Sequence, residues 1–177
     1  MRKRYPSGIS TSVRMTVKTC IICHSYSGIT RGVAEQISAA SGGDLIEVRS
    51  RKNYNKLTVY PVGGMRARRG ERDPIDPETI DVSRCDLIVI GSPVWAWKTT
   101  PAINTALDAL IGCAGKRAVI FATCGSQAGE TLDIMRKALE ERGATVVGES
   151  VLTRTDVNDG AKVRELAGLV KAAENPA

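Results

Sequence analysis

Two kinds of apolar pattern alternate along this chain. Five short runs, Val17–Cys23, Leu45–Val48, Leu87–Ile90, Ala118–Thr123 and Thr145–Leu152, are rich in β-branched and apolar residues and predict strands buried on both faces. Between them, apolar residues recur at three- and four-residue spacing. Val33, Ile37 and Ala40 mark one helix, and Ile103, Leu107 and Leu110 a second. Leu132, Met135 and Leu139 mark a third, and Val163, Leu166 and Val170 a terminal one. That spacing lays one apolar stripe along each helix. Thr100-Pro101 supplies an N-cap with proline at the first helical position, while Ser41-Gly42-Gly43 and Gly143 supply stops. Doubly buried strands alternating with amphipathic helices predict an α/β fold, a doubly wound three-layer sandwich. Right-handed crossovers make 2-1-3-4-5 the expected order of its five-stranded parallel sheet. The segment from Arg49 to about Arg84 shows neither period and is expected to be irregular.

Length and charge refine this outline. The 177 residues suit one domain, expected over 15–177, behind an aperiodic tail over 1–14 that is read as flexible. Met15 offers a second starting point for the fold. Behind the basic start (Arg2, Lys3, Arg4) there is no apolar stretch of the signal-peptide kind, and no run approaches the ~20 residues of a membrane span. The formal net charge is +6, of which the first fourteen residues hold +4 and the stretch Arg49–Arg72 holds +7, so the remaining chain carries −5. A mildly acidic body with two basic segments is not the pattern of a nucleic-acid binder.

Five cysteines, odd in number and scattered, predict reduced thiols in a cytoplasmic protein rather than a disulfide framework. Cys20 and Cys23 have C-x-x-C spacing, but three residues apart on a strand they face opposite ways and cannot share a metal ion. No metal site is expected.

In a doubly wound sheet, ligands bind beyond the C-terminal strand ends, where the strand order reverses. After strand one comes His24-Ser25-Tyr26-Ser27-Gly28-Ile29-Thr30, running into a helix. Three hydroxyls and a glycine at a helix N-terminus, where N–H groups lack partners, are suited to a phosphate. After strand three, Gly91-Ser92-Pro93-Val94-Trp95-Ala96-Trp97 holds both tryptophans of the chain within three residues. If that stretch is extended, the two indoles project to one side and can stack on a flat aromatic ligand. After strand four, Thr123-Cys124-Gly125-Ser126-Gln127-Ala128-Gly129 is small enough to bring main chain against a ring edge. His24, the sole histidine, follows a buried strand and reads as structural.

These three loops, in this order, resemble those of the flavodoxin family, over roughly Val17 to Ala173. Ser25 to Thr30 match the family's hydroxyl-rich S/T-x-T/S-G-x-T loop. Gly91, Pro93 and Trp95 match its G-x-P turn with an aromatic residue, and Thr123 to Gly129 its glycine-containing third loop. The uninterrupted fifth strand is similar to the short-chain type. The resemblance implies flavin mononucleotide (FMN) as cofactor, with Ser25, Tyr26, Ser27, Gly28, Ile29 and Thr30 at its phosphate. It implies Ser92, Pro93, Val94, Trp95, Ala96 and Trp97 on one side of the ring, and Thr123, Cys124, Gly125, Gln127 and Gly129 on the other. It also implies a low-potential electron carrier that needs no catalytic acid, base or nucleophile. Two departures stand out. The third loop lacks the family's flanking tyrosine, and the segment bearing Arg66, Arg68, Arg69 and Arg72 is basic, which implies an acidic redox partner or room for an anionic nicotinamide dinucleotide.

Rival readings of the sheet fail on single residues. A tyrosine phosphatase of low molecular weight needs C-x5-R after strand one, and the residue six past Cys23 is Ile29. A response-regulator receiver needs aspartate after Ile90, where Gly91 stands. Neither a Rossmann G-x-G-x-x-G nor a P-loop lysine is present. Two alternatives to the carrier remain. One is an FMN-dependent NAD(P)H:quinone or flavin oxidoreductase, and the other a flavin-free interaction domain.

Overall fold

A computed structural model describes residues 17–175; the expected tail over 1–14 lies outside them. Five long strands form the sheet: β1 (Thr19–His24), β2 (Asp44–Ser50), β3 (Leu87–Trp95), β4 (Arg117–Cys124) and β5 (Thr145–Thr153). All are parallel and lie in the order β2-β1-β3-β4-β5. Two short pieces add to this frame. Ile75–Asp76 pairs antiparallel with the outer edge of β2, and Lys98–Thr99 folds back antiparallel on the end of β3.

The helices are α1 (Ile29–Ser41), α2 (Gly64–Arg68), α3 (Pro101–Asp108), α4 (Thr131–Glu140), α5 (Arg154–Asp159) and α6 (Ala161–Glu174). Alternation along each strand divides the core in two. Cys20, Ile22, Ile88, Ile90, Ala118 and Ile120 pack beneath α3 and α4 with Ile103, Leu107, Met135 and Leu139. Ile21, Cys23, Leu87, Val89, Val119 and Phe121 face the other way, onto Val33 and Ile37 of α1 and Val163, Leu166 and Val170 of α6. Burying each Val, Leu, Ile, Phe or Met among them contributes roughly 1.5–3 kcal/mol, which is why both-face burial dictates this architecture. Thr100 caps α3, its hydroxyl accepting from the Ile103 N–H, and Pro101 occupies the first helical position.

Three expectations are revised. Leu110 leaves the helical stripe for a short parallel pairing of Leu110–Ile111 with Ile80–Asp81. The segment after β2 is not irregular throughout: it contains a π-helical turn (Val59–Gly63) running directly into α2. Cys20 and Cys85 are joined in a disulfide, with Cα atoms 5.9 Å apart, inside the core beneath α3. Cys85 precedes β3, and pairing of Thr19 with Leu87 brings it beside Cys20, a proximity that linear spacing does not reveal. Two of the five cysteines expected as reduced thiols are thus paired, while Cys23, Cys113 and Cys124 are free. Cys20 and Cys23 do face opposite layers, and among the described residues no cluster of metal-ligating side chains occurs. No helix among them is long and apolar enough to cross a membrane.

Candidate functional site

The ends of β1, β3, β4 and β5 open into one cleft of about 730 Å³. Its floor is the loop from β1 to α1. Gly28 precedes the helix with φ 87°, a left-handed conformation that disfavours any other residue, and its carbonyl accepts the first helical bond from the Gly32 N–H at 2.9 Å. No side chain caps α1, so its first N–H groups remain available. Ser25 Oγ is buried without a hydrogen-bond partner, a condition that costs about 1–3 kcal/mol unless something supplies one. Tyr26, Ser27, Ile29 and Thr30 line the cleft. The Thr30 hydroxyl is buried against that of Thr123 at 2.7 Å, which ties the first turn of α1 to the end of β4. In such a pair one hydroxyl donates to the other, and the acceptor keeps a proton to donate onward.

His24 closes β1. Its ring is buried, and Nδ1–H donates to the Val48 carbonyl at 2.9 Å. Burial pushes its pKa below the ordinary histidine value. A neutral imidazole fixed to main chain is a structural group here.

The second loop departs from expectation. β3 runs on through Trp95, and the chain then reverses at Ala96 (φ 48°) and Trp97 (φ 65°) so that Trp95 pairs with Lys98. Positive φ at both central residues is the signature of a tight hairpin turn, normally filled by glycine or asparagine. The segment Val94–Trp97 is thus not extended, and its two indoles do not share a side. Trp95 lines the cleft with Pro93, Val94 and Ala96, whereas Trp97 is 62% exposed and outside it. The hairpin tip is clamped from the third loop: Glu130 N–H donates to the Trp97 carbonyl at 2.8 Å, and a Cβ on Gly129 would lie 2.4 Å from that of Trp97. Gly129 therefore serves the hairpin and not the cleft lining. Ser92 is buried with its hydroxyl donating to the Pro93 carbonyl. Thr123, Cys124 and Gly125 line the cleft, and Gln127 does not. Ser25 and Gly28 also stand outside its lining; Ser25 borders a smaller polar recess near Tyr54 and Lys52.

A wall that the sequence reading did not place comes from the segment between β2 and β3. Val59, Tyr60 and Gly64 line the cleft, with Tyr60 85% exposed. Gly63 allows this approach, because a Cβ there would stand 2.8 Å from Cζ3 of Trp95. Trp95 is held by ring edges: Tyr54 at 5.3 Å and 89°, Tyr26 at 6.0 Å and 79°, and His24 at 6.1 Å and 75°.

Asp73 anchors the wall. Its buried carboxylate accepts from Ser50 Oγ (2.9 Å), the Tyr54 hydroxyl (2.7 Å) and Arg66 Nη2 (2.9 Å). Burial, and then the bond to Asp73, push the Tyr54 phenol up to about 12. Arg66 also pairs with Glu71, and Arg72 with Asp108. Three of the four arginines expected to face a partner thus have an acidic neighbour in the fold, Arg69 lying 3.8 Å from Glu71; Arg68 and Arg69 are exposed. One further missed residue, Arg154, enters the cleft from the end of β5.

A cleft lined by the uncapped first turn of a helix, by hydroxyls and by an indole can take a phosphate joined to a flat ring. Comparison with known proteins agrees with the fold. No curated protein matches the chain. Among solved structures, it is similar to a flavoprotein in complex with FMN from Lactobacillus acidophilus (23% identity, TM-score 0.63, covering 81% of this chain and 97% of that one). It is similar to oxidised flavodoxin 2 from Bacillus cereus (24%, TM-score 0.58, 88% and 98%) and to the apo form of an NADH:FMN oxidoreductase (18%, TM-score 0.60, 90% and 89%). The flavodoxin family model matches residues 18–147, well over half of the sequence, and the chain belongs to the flavodoxin family.

Proposed function

We propose that the cleft binds FMN and that the protein is a low-potential electron carrier, its described domain forming one FMN-binding unit within residues 15–177. The observation that carries this reading is the uncapped first turn of α1 meeting the cleft at Ser27, Ile29 and Thr30, with the partnerless Ser25 Oγ in the same loop just outside the lining. An anion with several acceptor oxygens suits free N–H groups and hydroxyls gathered in one turn. The residues present fit the cofactor: Ser25, Ser27, Gly28 and Thr30 hold the phosphate end, and Trp95, Ala96, Thr123, Cys124 and Gly125 border the ring end. When bound, FMN supplies the electron chemistry. The protein positions the ring against Trp95 and limits the access of water. Among the described residues no carboxylate, lysine or histidine lines the cleft, which suits electron exchange without a dedicated proton donor.

Arg68 and Arg69 are exposed in the segment that follows Gly64 of the cleft wall, so an acidic redox partner fits best. The absorption spectrum of the purified protein during stepwise reduction tests the reading. Flavin bands that change in two separate one-electron stages support a carrier, and a colourless protein that takes up no FMN overturns the cofactor.

One observation favours the oxidoreductase as a second reading. The wall of Val59, Tyr60 and Gly64 extends the cleft beyond the three loops, and the exposed Tyr60 offers a face to a second planar molecule. Steady consumption of NADH or NADPH with a quinone acceptor would select it over the carrier.

A further inference from the structure

Arg154 is the one charged side chain among the residues lining the cleft. The other fourteen are apolar, hydroxylic, phenolic, thiol or glycine. Its place follows from strand register. Thr123 pairs with Leu152 and Cys124 with Thr153, so the chain leaves β5 at Arg154 directly beside Gly125. Thr123 is the residue whose hydroxyl meets Thr30 in the first turn of α1. Arg154 thus lines the same cleft as Thr30, beside the end of the strand whose Thr123 touches the first turn of α1, and two strands away from Trp95.

Local structure holds it there. Thr153 and Asp156 form a capping box in which Thr153 Oγ1 accepts from the Asp156 N–H at 3.2 Å and the Asp156 carboxylate accepts from the Thr153 N–H at 2.8 Å. The nearest acid in sequence, Asp156, is already committed to that cap and to Lys162 at 3.6 Å. Among the described residues Arg154 has no ion-pair partner. A guanidinium with five donors, lining a cleft that holds no acid among the described residues, selects an anion, and its fork suits phosphate oxygens.

We propose that Arg154 is a phosphate-binding residue, making a charge-assisted contact to the terminal phosphate monoester of the flavin and so discriminating FMN from riboflavin. This rests on the FMN reading above. It adds a cation from the end of β5 to a site otherwise built of neutral hydroxyls and main-chain N–H groups. The contact favours the dianionic phosphate over the monoanion.

Affinities of FMN and riboflavin, measured with wild type, Arg154→Gln and Arg154→Lys at several salt concentrations, provide the test. Arg154→Gln should weaken FMN roughly 10- to 100-fold at low salt and leave riboflavin within about twofold. Its FMN affinity should also depend less on salt. Arg154→Lys, which keeps charge but not the fork, should fall between. The phosphorus resonance of bound FMN should stay dianionic to lower pH in wild type than in Arg154→Gln. An unchanged FMN-to-riboflavin ratio in Arg154→Gln, or equal loss for both ligands, overturns the assignment while leaving the FMN site intact. A wild type that binds neither ligand overturns the FMN reading itself.

Discussion

Thr30 Oγ1 lies 2.7 Å from Thr123 Oγ1, and both side chains are buried. That one bond joins the loop at the end of β1 to the loop at the end of β4, across the position of β3. The two halves of the proposed FMN site are therefore mechanically linked. Thr30→Val or Thr123→Val alone leaves a buried hydroxyl without its partner and should cost about 1–3 kcal/mol in urea unfolding. The double variant should cost less than the two single losses together, because no orphan remains. Additive losses would show that the two hydroxyls do not depend on each other.

The charged wall separates two roles that look identical in sequence. Arg66 pairs with buried Asp73 and with Glu71, whereas Arg68 and Arg69 are exposed and Arg69 reaches Glu71 only at 3.8 Å. Arg66→Ala should destabilise the protein by about 3–5 kcal/mol by leaving the Asp73 carboxylate short of its cation. Arg68→Glu with Arg69→Glu should leave unfolding almost unchanged and slow electron exchange with an acidic partner at low salt, an effect that fades as ionic strength rises. Faster flavin release in the charge-reversed variant would make the segment a lid and not a docking surface.

The layers of this fold were readable because β1, β3 and β4 are buried on both faces and the helices carry clean apolar stripes. The cleft was readable only in part. The first and third loops follow directly from strand ends. The hairpin at Ala96–Trp97 left no local mark, since neither residue is one that normally occupies positive φ; the turn is imposed by pairing of Trp95 with Lys98 and by contact with Gly129. The wall at Val59–Gly64 depends on Asp73, Ser50, Tyr54 and Arg66 meeting across more than twenty residues of sequence. Arg154 depends on the register of β5 against β4. Each omission is a tertiary relationship that periodicity does not encode.

Stability should fall on both sides of neutrality, for groups that can be separated by substitution. Burial holds the His24 pKa below its ordinary 6.5. As pH drops through 6.5, the unfolded chain binds a proton that the folded protein does not, so stability declines towards the depressed value. His24→Asn, which keeps a donor for the Val48 carbonyl without titrating, should flatten that decline. Burial raises the Cys23 thiol from 9.0 to about 12. Between those values the unfolded chain has lost a proton that the folded one retains, so stability falls as pH rises. Cys23→Ala should reduce the alkaline slope. Unfolding midpoints measured from pH 5 to 10 in the three proteins check both signs.

Gly63 sets how closely the wall approaches Trp95. An added Cβ would meet Cζ3 of the indole at 2.8 Å and the Tyr54 ring at 3.4 Å. Gly63→Ala should cost about 1–3 kcal/mol through overpacking and push the wall or the indole aside. The near-ultraviolet circular dichroism of Trp95 should change with it. An unperturbed spectrum at full stability would mean that the wall is not seated on the indole.

The two tryptophans should respond differently to flavin, which tests the hairpin directly. Trp95 lines the cleft and is held by the edges of Tyr54, Tyr26 and His24, while Trp97 points out of it. In Trp97→Phe the remaining emission comes from Trp95 alone. It should be strongly quenched by FMN and return when flavin is stripped. In Trp95→Phe the emission of Trp97 should be that of a solvated indole and respond weakly to flavin. Offset stacking and apolar contact contribute about 1–3 kcal/mol per aromatic partner. Trp95→Ala should therefore weaken FMN about 5- to 100-fold, and Trp97→Ala less than threefold, provided the turn is kept. An electron-rich indole against the ring disfavours added negative charge, so Trp95→Ala should also raise the potential for the second electron, whereas Trp97→Ala should not. Equal quenching of both indoles would restore the extended loop and remove the hairpin from the account of this site.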